Sequence, residues 1–163
     1  MRALALLLPL TLAACGVREI APNPYVQRPP TAMRTIYVDP AGGEAAAAVG
    51  AALGARGFDV AFAPSTPRRP DFAPDWRALA AEGADGLLTV SGDGPDMPTT
   101  LTAVVRHTGD GAVVASVTWR TRFADQIGGL GDRLRRRDRD AVAAPIADAL
   151  AAQIARGGPA TAR

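Results

Sequence analysis

Whatever this chain of 163 residues does through sulfur, imidazole or an activated hydroxyl rests on one cysteine, Cys15, one histidine, His107, and three serines. Ser91 follows an apolar run in "TVSGDG", but a nucleophile elbow needs glycine two positions earlier, and Thr89 stands there. His107 falls on the apolar side of an alternating stretch beside a turn, where a hydrogen-bonded core or rim histidine is the more ordinary role than a lone base. Zinc would need three or four His, Cys or carboxylate ligands at short spacing, and the sequence offers no such set. Asp93 and Asp96 in "SGDGPDM" lack the alternating ligands and terminal Glu of a calcium loop. Gly128-Gly129-Leu130-Gly131 lacks the Lys-Ser or Lys-Thr that completes a phosphate loop. The reading is a protein without catalysis, metal or cofactor, with a small hydrolase built around His107 as the contrasting alternative.

Cys15 is the exception, because of what precedes it. Met1-Arg2 is positive, Ala3 to Leu12 is apolar apart from Pro9 and Thr11, and Ala13-Ala14 supplies small side chains at a cleavage point. That composition is a signal peptide. Its apolar run falls well short of the roughly 20 residues of a spanning helix, and no later run comes closer. Leu12-Ala13-Ala14-Cys15 resembles the lipobox of bacterial lipoproteins, which implies cleavage before Cys15, acylation of its sulfur (palmitate and related chains) and attachment to the membrane. An ordinary secretory signal with an incidental cysteine is the alternative. Gly16, where an Asp would retain the protein at the inner membrane, implies the outer membrane facing the periplasm. Each buried methylene contributes about 0.8 kcal/mol, and stable anchoring takes more than one chain.

All 18 basic residues are Arg, and the formal net charge is only +2, so a charge footprint for nucleic acid is absent. Arg is nevertheless concentrated. Arg133, Arg135, Arg136, Arg137 and Arg139 form a run where the last helix should begin. Positive charge is disfavoured at a helix N-terminus, and Arg forks suit phosphate or carboxylate, so the run is a candidate surface for an anionic glycolipid or an acidic envelope protein. A solvated segment partly neutralised by Asp132, Asp138 and Asp140 competes with that reading. Arg106, Arg120 and Arg122 form a further candidate patch, on a polar sheet face.

The elements that must position these residues are legible in outline. Residues 1–14 are the signal. Residues 15–33 carry Pro22, Pro24, Pro29 and Pro30 and read as a tether, reaching roughly 50 Å at about 3.1 Å per residue if stiff, with an arm folded along the domain as the alternative. A single domain spans 34–156, and 157–163 should fray. Thr35 to Val38 predicts a strand, Glu44 to Arg56 a helix with a mostly Ala face, and Phe58 to Phe62 a second strand in a right-handed βαβ unit. Asp75 can cap a short helix ending at Gly83, before a central strand Leu87 to Val90. Thr100 to Thr108 and Ala112 to Phe123 alternate around Gly109-Asp110-Gly111 and predict an antiparallel hairpin. Its core side is Leu101, Ala103, Val105 and His107 with Val113, Ala115, Val117, Trp119 and Phe123. Its wet side carries Thr102, Val104, Arg106 and Thr108 with Val114, Ser116, Thr118, Arg120 and Arg122. Leu134, Val142, Ile146, Leu150 and Ile154 mark a helix secure over Asp140 to Arg156, which Pro145 should kink or split.

The order β-α-β-α-β-β-β-α predicts an α+β, two-layer sandwich: a mixed five-stranded sheet with helices on one face. "EGADGLLTVSG", then "TLTAVVRHTGDGAVVASVTWRTRF" and an Ala-rich terminal helix, resemble the domains of penicillin-binding-protein activator lipoproteins, of the curli secretion-channel lipoprotein and of the N-terminal part of the Tol-system propeller protein. The resemblance spans about 34–156 and lies in pattern, not in a catalytic signature. It implies a non-catalytic binding or assembly module of the periplasm. The sequence also resembles the lipoprotein plug that helps assemble the lipopolysaccharide transport channel, which the first strand and helix fit and "ADGLLTV" fits less well.

Overall fold

In a computed structural model, the described residues are 19–22, 33–62, 65–92, 100–120 and 139–155. They form β1 (Glu19–Pro22), β2 (Thr35–Val38), α1 (Gly43–Gly54), β3 (Asp59–Phe62), α2 (Trp76–Ala81), β4 (Gly86–Gly92), β5 (Thr100–His107), β6 (Val113–Arg120) and α3 (Arg139–Ala155). One mixed sheet runs in the order β1-β6-β5-β4-β2-β3, with β2 parallel to β3 and β4 and the other pairs antiparallel. The chain is therefore α+β, with six strands in place of the five expected.

The sixth strand comes from the segment expected to be a tether. β1 pairs antiparallel with β6 from Glu19 opposite Arg120 to Pro22 opposite Val117. Ser116 turns both its backbone N–H and its C=O outward to a side chain of α3. By alternation Thr118 and Arg120 also point their backbone groups toward β1, and Val117 does not. Pro22 thus occupies a position where no N–H is owed to the neighbour, which is how an edge strand tolerates proline.

α1 and α3 pack against each other and on one face of the sheet. The closeness of α1 depends on its small residues: a Cβ at Gly50 would come within 2.7 Å of a Val38 methyl carbon. Val142, Ile146, Leu150 and Ile154 of α3 are buried as their four-residue spacing predicts. The helix is continuous through Pro145 rather than split there. Trp119, the largest buried side chain, lies between Leu101 and Ile20 in the strand register and belongs to the same core.

α2 departs from the expectation that helices share one face. Leu79 of α2 and Leu87 of β4 are fully buried yet belong to no part of the α1–α3 core. Tyr37, in register with Leu87, bonds Glu82 at the end of α2. α2 therefore covers the opposite face. The reason is topological: β4 lies on the far side of β2 from β3, so a right-handed return from β3 to β4 must cross the other face. Asp75 caps α2 as predicted, accepting from Arg77 N and Ala78 N at 3.1 Å.

A register shift at Val105/Arg106 sets Val105 opposite Ala115 and Arg106 opposite Val113, leaving Val114 as the extra residue of a bulge. The bulge exchanges two predicted directions. Val114 enters the main core, and Val113 turns to the α2 side. Phe123 lies outside the described residues.

Candidate functional site

The positions singled out in the sequence fall only in part within the described residues. Cys15, Arg122, Arg133, Arg135, Arg136 and Arg137 lie outside the described residues, as does Leu134; Arg139 opens α3. Arg106 and Arg120 share a sheet face at opposite ends. Thr100 is the partner of Arg120, and the six steps from Thr100 to Arg106 separate the two by about 20 Å at roughly 3.3 Å per residue. Arg106 Nη1 donates to Gly111 O at 3.1 Å and so braces the hairpin turn, whereas Arg120 is exposed at the strand tip. The face between them is only partly wet. Thr102 and Thr118 pair their hydroxyls at 3.3 Å, but Ser116 is buried, as is Thr108 just past Arg106.

His107 sits on the rim of the hairpin. Its Nδ1 lies 3.2 Å from Asp110 Oδ1 and 3.1 Å from Gly109 N, which donates to it. Asp110 Oδ1 also accepts from Ala112 N at 3.1 Å. These bonds shape a turn. Among the described residues no group of three or more His, Cys, Asp or Glu could hold a metal ion, and no helix is long and apolar enough to cross a membrane.

Three arrangements stand out that the sequence pattern did not disclose. Asp85, in the "ADGLLTV" turn, accepts through Oδ2 from Arg34 N at 2.8 Å and Thr35 N at 2.9 Å, while Thr108 Oγ1 donates to Ala84 O at 2.5 Å. One carboxylate thus ties the start of β2 to the start of β4. Asp39, almost wholly buried after β2, accepts from Ala41 N at 3.0 Å and from Arg68 Nη2 at 3.0 Å. The same guanidinium donates through Nη1 to Phe72 O at 3.0 Å. The loop so braced holds Phe72 at φ 63, in the left-handed region, with the residue 79% exposed. Such a conformation is costly for an aromatic residue.

The third arrangement closes a sheet edge. Beyond Pro22, the side of β6 turned away from β5 has no strand partner within the described residues, and Gln153 of α3 takes over. Ser116 N donates to Gln153 Oε1 at 3.0 Å, and Gln153 Nε2 donates to Ser116 O at 3.2 Å. The amide copies one residue of a neighbouring strand. Only a long-range contact reveals it, so neither composition nor period signals it.

Between the two core helices, Arg56 Nε meets Asp148 Oδ1 at 2.6 Å, and its other nitrogens donate to Ala52 O and Ala144 O at 2.6 and 2.8 Å. The hydrogen bond to Asp148 raises the Arg56 pKa, and the same bond holds Asp148 below its ordinary carboxylate value. Tyr37 is shifted up, first by its hydrogen bond to Glu82. These contacts join elements of the fold to one another.

No protein-family model and no curated protein matches the sequence. Solved structures do. A PelC dodecamer from Paraburkholderia phytofirmans is similar over 85% of this chain and 97% of that one, with a TM-score of 0.50 at 15% identity. A point variant of the same dodecamer gives 85% and 98% coverage, a TM-score of 0.49 and 15% identity. At that identity the likeness is one of fold.

Proposed function

We propose that this chain is a lipid-anchored lipoprotein of the bacterial cell envelope, held at the outer membrane facing the periplasm, that acts as a non-catalytic binding and assembly module. The observation that carries this reading is the spacing between the Leu12-Ala13-Ala14-Cys15 motif and the first strand. Four residues after the acylatable sulfur, Glu19 enters the sheet opposite Arg120. A lipid at Cys15 is thereby wired to the edge of a folded domain. The PelC chains that share this fold form dodecamers, which supports further copies of the same chain as partners. The arginines of the 133–139 run serve in this reading as contacts for an anionic glycolipid or an acidic protein surface.

Cys15→Ser tests the anchor, because the hydroxyl is a poor replacement for the sulfur that accepts the acyl chain. Metabolic labelling with a fatty-acid probe should mark the wild type and not the variant, and the variant should accumulate as precursor. Equal labelling of both would remove the assignment. The mass of the detergent-solubilised protein, by sedimentation equilibrium, reports self-association independently.

A further inference from the structure

We infer that the strand tips at Glu19, Arg120 and Gly92 face the bilayer and that the hairpin turn at Gly109 to Gly111 points away from it, an orientation that rests on the lipid anchor proposed above. Four residues of chain separate Cys15 from Glu19, and consecutive Cα atoms span at most about 3.6 Å each in extended chain, so the acylated sulfur lies within roughly 14 Å of the start of β1. Glu19 is not a free end. It is held opposite Arg120, which is itself opposite Thr100, and Gly92 is opposite Leu101, so four strands present their tips at this one level. The seven steps of β6 from Arg120 back to Val113 carry the hairpin turn about 23 Å away along the strand direction, farther than the leash reaches.

The tip also has suitable chemistry. Arg120 is exposed there and can reach headgroup phosphates, while Ser91 and Gly92 are exposed on β4. Phe62, one of the two exposed large apolar residues among those described, belongs elsewhere. Phe62 is in register with Val38, which is level with Leu88, four residues below Gly92. Phe62 therefore lies roughly 13 Å below the tip along the strands, its ring beside Gly50 of α1, and the exposed residues at the tip itself are Ser91, Gly92 and Arg120.

The test uses the full acylated chain in vesicles of phosphatidylethanolamine and cardiolipin containing a headgroup spin-labelled lipid as quencher. Cys15 is consumed by acylation, so a single added cysteine carries the fluorophore: Ser91→Cys near the tip, or Arg77→Cys, exposed on α2 beside Trp76, which lies against Gly111 of the hairpin turn. The label at 91 should be quenched at least threefold more than the label at 77. A thirty-residue Gly-Ser insert between Cys15 and Glu19, with a mean reach of about 30 Å, should abolish the difference while leaving acylation and fold intact. Equal quenching at both sites, or more at 77, in a chain whose mass shows acylation overturns the orientation alone. A chain whose mass shows no acylation overturns the anchor and the orientation together. Shielding of the label at 91 before vesicles are added identifies a second copy on the tip, and that too overturns the inference.

Discussion

Gln153→Ala tests how the β6 edge is closed. The amide of Gln153 satisfies one N–H and one C=O of Ser116, a fully buried residue. A buried polar group deprived of its partner costs about 1–3 kcal/mol, so two groups set an upper range near 6. Gln153 itself is only half-buried, and water entering the vacated space recovers part of the loss. We expect about 2–4 kcal/mol from urea denaturation of the unlipidated chain starting at Gly16. Gln153→Glu sharpens the test, since it keeps the acceptor facing Ser116 N and loses the donor facing Ser116 O at 3.2 Å. The new carboxylate, aimed at a carbonyl oxygen, should titrate above the ordinary value of about 4.3. Because its folded pKa is raised, its penalty is fully present above that folded pKa and disappears as pH falls below the unfolded one. A cost under about 0.5 kcal/mol for the alanine variant, or a glutamate deficit independent of pH, would refute the clasp.

Trp119→Ala should cost about 3–5 kcal/mol and Thr118→Ala no more than about 1, because the first empties the core and the second loses one exposed-side hydroxyl pair; matched urea midpoints would contradict the hairpin register. Asp148→Asn should change the acid limb. The bond from Arg56 lowers the Asp148 pKa, so its contribution is present above the unfolded value near 3.9 and is lost as pH falls through the lower folded value. The stabilities of the wild type and of the Asp148→Asn variant should therefore converge in acid, and a constant offset from pH 7 to 2 would exclude that pair as a source of stability. Phe72→Gly should stabilise by up to about 1 kcal/mol, since glycine accepts φ 63 without the Cβ clash and the exposed ring packs little; a loss larger than about 1 kcal/mol would show that the ring supports the loop.

Short-range signals carried most of the fold. β2, β4, the β5–β6 hairpin, the Asp75 cap and the buried stripe of α3 each follow from residues within one turn or one alternation of each other. What stayed hidden depends on partners distant in sequence. Pro22 argued against a strand, and only its edge position, with nothing owed on the β6 side, makes the strand acceptable. The face taken by α2 depends on strand order, which β-α-β-α-β does not fix until β4 is known to pair with β2. Val113 and Val114 are chemically alike, so nothing local marks which of them the bulge sends inward. The Arg run drew attention by composition alone, whereas Asp85 and Gln153, single polar residues in ordinary surroundings, close the ends and the edge of the sheet.

The pairing of β1 with β6 has a consequence in time. Glu19 leaves the ribosome early, but Arg120, its partner, follows roughly a hundred residues later. Contacts of such sequence separation form late, after the hairpin and the βαβ unit have closed locally. Until then the Glu19–Pro22 segment has no strand to join, and if Cys15 is cut and acylated as proposed above, this is the interval in which the enzymes would find it open. Once β6 is in place, the same segment is captured. The first strand to be made is thus among the last to dock, an order that the strand topology sets without any separate timing device.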